Sequence, residues 1–131
     1  MMLCVHEFKA MGSPCALHIY HPDKHILDGA ITSAQQEVLR LEKKYSRFLL
    51  TSTLSNINAQ AGLGPVEVDE ETAGLLNYAA MCFEHSDGLF DITSGVFRKI
   101  WDYKSNKLPS EQQVASVLPM VGFEKIGWNG K

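Results

Sequence analysis

A chain of 131 residues with net charge -3, 45% hydrophobic and 21% charged residues, has the size and composition of one modest soluble domain or of a piece of a larger one. Its 12 lysines and arginines are scattered rather than massed, which sets aside nucleic-acid binding, and no apolar run reaches the roughly 18 residues that a membrane span needs. Cys4, Cys15 and Cys82 are odd in number and far apart, which argues against a disulfide framework or zinc ribbon; with neither a basic n-region nor an apolar h-region at residues 1–7, the expectation is a cytoplasmic protein with reduced thiols.

Residues 4–10 have strand character. Met11-Gly12-Ser13-Pro14 follows as a turn or bulge, because Gly and Pro punctuate the chain there. Cys15, Leu17 and Ile19 alternate with more polar neighbours, the mark of a half-buried strand paired with the first as a hairpin. After His21-Pro22, Asp23 is placed to cap a long helix. The apolar stripe of that helix is Leu27, Ile31, Ala34, Val38, Leu41, Tyr45 and Phe48, spaced alternately four and three apart. Lys43, Lys44 and Arg47 sit near its C-terminal end, where positive charge suits the helix dipole.

Residues 49–64 read as a loop with one helical turn at 54–58, and residues 66–68 as a short strand. Asp69 caps a second helix with Glu70 and Glu71 in its first turn and a buried stripe of Leu75, Leu76, Ala79, Cys82 and Phe83. Gly88 suits a left-handed C-cap. A third short helix is expected over 95–101, started by Thr93 or Ser94. Ser110 caps a fourth at 111–118, with Gln113 completing a capping box. Residues 121–128 read as a strand entering a sheet, which would need partners. The chain has no repeat, low-complexity tract or linker. The fold class expected is α+β, with helices packed on a mainly antiparallel sheet that is part of a larger domain.

No P-loop, G-x-S-x-G, H-E-x-x-H or G-x-G-x-x-G motif is present. His21 and His25 are four apart, but the intervening Pro22 spoils a helical zinc pair. Three local features can carry chemistry. At Ala10-Met11-Gly12-Ser13, glycine allows close backbone approach and Met11 offers a pliable apolar surface to a flat ring; the bland alternative is an ordinary hairpin turn. In Tyr45-Ser46-Arg47-Phe48, the ring of Tyr45 can stack on an aromatic ligand, or it can simply be a core tyrosine. In Gly88-Leu89-Phe90-Asp91-Ile92-Thr93-Ser94-Gly95, free N–H groups at a helix start can hold an anion and Asp91 can accept from a ribose hydroxyl or base edge. The alternative there is a plain helix corner with a Ser/Thr cap.

Taken in order, these segments resemble the ApbE family of FAD:protein FMN transferases from about Phe8 onward. Phe8-Lys9-Ala10-Met11-Gly12-Ser13 stands where that family has A-M-G-T. Tyr45-Ser46-Arg47-Phe48 follows, and then Ser52-Thr53-Leu54-Ser55-Asn56-Ile57-Asn58 in place of S-E-L-S-R-L-N. Residues 88–95 resemble G-A-F-D-I-T-x-G, followed in register by Trp101, Leu108-Pro109-Ser110 and Val121-Gly122-Phe123. The resemblance implies transfer of FMN from FAD to a serine or threonine of a target flavoprotein, with Mg²⁺ assisting the phosphoryl displacement. It also implies that Met11, Tyr45, Leu89, Phe90 and Asp91 correspond to FAD-contacting positions.

Ser13, Thr53, Asn56 and Leu89 depart from the usual residues, and Leu89 in place of alanine would crowd a ligand. The family's later D-x-G-G-x-A-K-G-like stretch, its catalytic histidine and its acidic magnesium ligands have no counterpart here. Residues 1–131 are therefore expected to form the N-terminal part of such an enzyme, with no catalytic or metal-binding residue of their own. The alternative is a non-catalytic flavin-binding or interaction module that pairs with a separate C-terminal chain or with a second copy of itself.

Overall fold

A computed structural model of the protein describes residues 3–131. The chain divides into two compact units, one running through Glu67 and the other beginning at Val68.

The first unit is a hairpin with two helices. Strand β1 (Leu3–Ala10) pairs antiparallel with β2 (Ser13–Tyr20), in register from Leu3 opposite Tyr20 to Ala10 opposite Ser13. Pro14 lies within β2, tolerable in a two-stranded sheet because each strand leaves an outer edge where a missing N–H goes unnoticed. Along β1, Cys4, His6, Phe8 and Ala10 form the more buried face. Helix α1 (Lys24–Tyr45) packs against the sheet, and a 2.8 Å hydrogen bond joins the His6 ring to the Gln35 side chain. Asp23 caps α1 as expected, its carboxylate accepting from the N–H groups of His25 and Ile26. Leu27 is the most buried residue of the helix.

Three local expectations for this unit change. The stripe of α1 stops at Tyr45, because Ser46 turns to extended backbone; Phe48 stands outside the helix and is 78% exposed. The turn foreseen at 54–58 is a fuller helix, α2 (Thr53–Gln60), capped by Ser52. The Ser52 hydroxyl accepts from the N–H of Ser55 and donates to the carbonyl of Ser46, so one buried side chain starts α2 and secures the exit of α1. Residues 66–68 are irregular rather than a strand: among the described residues no third strand joins the β1–β2 sheet, and a lone three-residue segment has no ladder to enter.

In the second unit, helix α3 (Glu70–His85) starts at Asp69, whose carboxylate accepts from both the N–H and the hydroxyl of Thr72. It ends on Gly88 at φ +80°, whose N–H reaches back to the carbonyl of Phe83. Ala79 is buried and Leu76, Cys82 and Phe83 are half-buried, but Leu75 is half exposed and so belongs to the rim of the stripe. Residues Ile92–Lys99 form a 3-10 helix capped by Asp91, two or three residues earlier than the Thr93 or Ser94 expected. Helix α4 (Glu111–Val117) carries the full capping box of Ser110 and Gln113.

The strand expected over 121–128 is absent. Its middle is a single 3-10 turn, Phe123–Lys125. The reason lies in the backbone donors, since Gly122 gives its N–H to the Thr93 hydroxyl and Phe123 gives its own to Asp91. Groups that a strand would offer to a neighbour are already spent inside the unit. The Phe123 ring stacks on Phe83 at 5.6 Å, and the indole of Trp128 donates to Asn77 of α3 at 2.7 Å. The fold class is α+β, as the residue pattern indicates.

Candidate functional site

The hairpin tip is built from two left-handed residues, Met11 at φ +53° and Gly12 at φ +73°. Two-residue hairpin turns favour this geometry because its twist matches the strands. Glycine adopts it freely, whereas a side chain there costs roughly 1–2 kcal/mol. The Met11 N–H donates to the Glu42 carboxylate of α1 at 2.7 Å, and the Met11 side chain is 59% exposed. The Ser13 hydroxyl donates to the Ala10 carbonyl across the tip. Tyr45 lies three residues beyond Glu42, on the same side of the last turn of α1. Its ring is half-buried, with the Lys44 ammonium 5.4 Å from the ring centre. The first unit thus gathers Met11 and Tyr45 toward one end of α1.

The second unit presents the corner after α3. The Ser86 carbonyl accepts from the N–H of Leu89, and the Ser86 hydroxyl accepts from that of Phe90 at 2.8 Å. The same hydroxyl donates to Phe83. This small network fixes the backbone and leaves Leu89 93% exposed and Phe90 48% exposed. Large apolar side chains held outward on a hydrogen-bonded corner are the usual sign of a contact surface. Leu89 points into open space and crowds nothing within the unit.

Asp91 has a role that its position alone did not reveal. One oxygen accepts from the N–H and the hydroxyl of Thr93, and the other from the N–H of Phe123. Burial alone would raise its pKa. The hydrogen bonds from the Thr93 hydroxyl, the Thr93 N–H and the Phe123 N–H, with the nearby Lys125 charge, outweigh that and hold the carboxyl below its ordinary value. Two of the N–H groups that an anion could use at this helix start are already taken, as in a plain capped corner. The Thr93 N–H is taken by the Asp91 side chain and that of Ser94 by the Asp91 carbonyl. Asp91 therefore clasps the start of the 3-10 helix to the turn at Gly122-Phe123.

Glu42 and Thr93 escaped notice in the sequence. Thr93 was visible only as a cap candidate, and the Asp-x-Thr spacing is the signal that could have found its bond to Asp91. Glu42 meets Met11 across 31 residues, and no local pattern reports such a contact. Among the described residues no three His, Cys, Asp or Glu side chains gather into a group that could hold a metal ion. No helix among them is long and apolar enough to cross a membrane.

An antiparallel hairpin backed by a long helix, followed by a second, helical unit, defines an α+β class of fold. The family is more particular. Residues 11–131 match the model of the ApbE family, and the chain belongs to that family. It is similar to an FAD:protein FMN transferase from Treponema pallidum, 27% identical over 123 residues, which cover 88% of this chain and 33% of that protein. It is also similar to an FAD:protein FMN transferase from Haemophilus influenzae, 28% identical, with 90% of this chain and 36% of the relative covered. Its fold superposes on the crystal structure of the ApbE protein from Thermotoga maritima with a TM-score of 0.69 at 24% identity, covering 94% of this chain and 40% of that one. The chain thus spans about a third of the length of the curated relatives it matches.

Proposed function

We propose that this chain forms part of the FAD-binding surface of an FAD:protein FMN transferase, with Met11, Tyr45, Leu89, Phe90 and Asp91 as FAD-contacting residues. The observation that carries this reading is the exposure of Met11, Leu89 and Phe90 on hydrogen-bonded turns at the family's motif positions. Apolar side chains carried on hydrogen-bonded backbone suit a flat ring system such as a flavin, because little backbone freedom is lost on contact. Tyr45 adds a polarisable ring with a hydroxyl at its rim. Asp91 keeps the 89–93 corner in shape.

The transfer itself would split the FAD diphosphate and join FMN to a hydroxyl of a target flavoprotein, releasing AMP. Magnesium supplies charge neutralisation in such displacements. In this reading its ligands, and the group that takes the hydroxyl proton, come from sequence beyond these 131 residues, on the same or another polypeptide. A stand-alone interaction module rested on an unpaired strand at 121–128, and that segment is not a strand.

The test is a titration of the purified chain with FAD and Mg²⁺, followed by flavin fluorescence and calorimetric heat, with a transfer assay on an acceptor flavoprotein alongside. Saturable micromolar binding without FMN transfer is the expected result. Absence of binding would overturn the claim that these residues form a flavin surface, and transfer by the chain alone would overturn the claim that its chemistry lies elsewhere.

A further inference from the structure

We propose that Glu42 is a positioning residue for flavin binding, acting through the backbone of Met11; this rests on the reading of Met11 as a flavin contact. Methionine rarely occupies left-handed backbone, and at the first position of a two-residue hairpin turn glycine or asparagine is the usual occupant. Met11 nevertheless sits there at φ +53°, and the side chain that this conformation projects is mostly exposed. The twist of the hairpin favours this backbone, but it gives no reason for a methionine where glycine or asparagine would fit without strain. In a two-residue turn the cross-strand bonds use the flanking residues, here Ala10 and Ser13, so the N–H of the first turn residue points away from the ladder.

Glu42 takes that surplus donor. Its carboxylate lies 2.7 Å from the Met11 nitrogen, a charge-assisted bond that joins residues 31 apart and ties the tip to the last turns of α1. Tyr45 stands on the same side of the helix one turn later. One carboxylate therefore holds two things: the left-handed backbone of Met11 and its placement at the Tyr45 end of α1. Pre-setting the tip removes an ordering cost that would otherwise weaken binding.

The experiment compares wild type with Glu42→Ala and Glu42→Gln, reading the FAD dissociation constant, the hydrogen-exchange rate of the Met11 amide and the melting temperature. The glutamine carbonyl can still accept the bond and alanine cannot. Glu42→Ala should weaken FAD binding about tenfold and release the Met11 amide to fast exchange, while Glu42→Gln stays within about threefold of wild type and keeps the amide protected. Melting temperature serves as the control, because loss of general stability would lower it for every ligand-independent reason. Wild-type affinity in a folded Glu42→Ala, or equal loss in both variants, overturns the proposal. If wild type binds no FAD, the functional reading fails on its own, and a slow Met11 amide in Glu42→Ala would then show separately that Glu42 does not hold the tip.

Discussion

Met11 separates local stability from function at a single residue. Left-handed backbone costs its side chain roughly 1–2 kcal/mol, while glycine at the same place costs roughly 0.5–1 kcal/mol through greater freedom of the unfolded chain. Met11→Gly should therefore leave stability within about 1 kcal/mol of wild type while removing the exposed thioether, and FAD affinity should fall about tenfold. Denaturant melts and a flavin titration on the same variant check both halves; a stability loss that matches the affinity loss would refute the separation. The contrast with Leu89 is useful. Both side chains are exposed, but the left-handed residue of the corner that carries Leu89 is Asp87 at φ +53°, not Leu89 itself.

At the scale of an element, the turn at 121–123 is held by contacts from far along the chain. Asp91 and Thr93 accept the N–H groups of Phe123 and Gly122, 32 and 29 residues away. Because the folded carboxyl of Asp91 lies below its ordinary 3.8, its contribution to stability is complete above that value and is lost as pH falls through it toward the folded value. Stability measured by urea unfolding should consequently drop below about pH 4 in wild type, and Asp91→Asn should flatten that part of the pH dependence while being less stable at pH 7 by about 1–2 kcal/mol. An unchanged pH profile in Asp91→Asn would remove Asp91 from the account. Gly122 tests the same turn from the other side. At φ +146° a side chain is strained, and a Cβ would also lie 2.2 Å from the Glu124 carboxylate. Glu124 is exposed and flexible enough to move, but the backbone angle is not negotiable. Gly122→Ala should cost about 1–3 kcal/mol, and adding Glu124→Ala should not restore it; full rescue by the second substitution would show that the clash, not the angle, matters.

Across the whole molecule, apolar surface is the dominant feature. Ala10, Leu27, Ala79 and Val117 are the buried hydrophobic residues among those described, while Leu50, Leu63, Leu89 and Leu108 are each more than three-quarters exposed. A chain of this length ordinarily buries roughly two-thirds of its unfolded surface, and side chains this exposed offer apolar area to a dye or to a partner. The 131-residue chain should bind a hydrophobic reporter dye strongly. Co-expression with the rest of an ApbE-family sequence should reduce dye fluorescence and raise the melting temperature through binding linkage. No change in either quantity would mean that the exposed residues face water by design.

Much of this was legible in the residues themselves. The hairpin, α1, α3, α4 and the caps at Asp23, Asp69 and Ser110 follow from period, turn chemistry and side-chain hydrogen bonding, all of which act within a few positions. The ordered motifs from Met11 to Phe123 likewise marked the family. Only the tertiary structure decided that residues 121–128 fold back instead of forming a strand, that Asp91 joins Thr93 to the turn at Phe123, and that Glu42 holds Met11. Each of these turns on a donor or acceptor committed to a partner about 30 residues away. Local pattern fixes which groups a segment offers, whereas the folded chain fixes where those groups are spent.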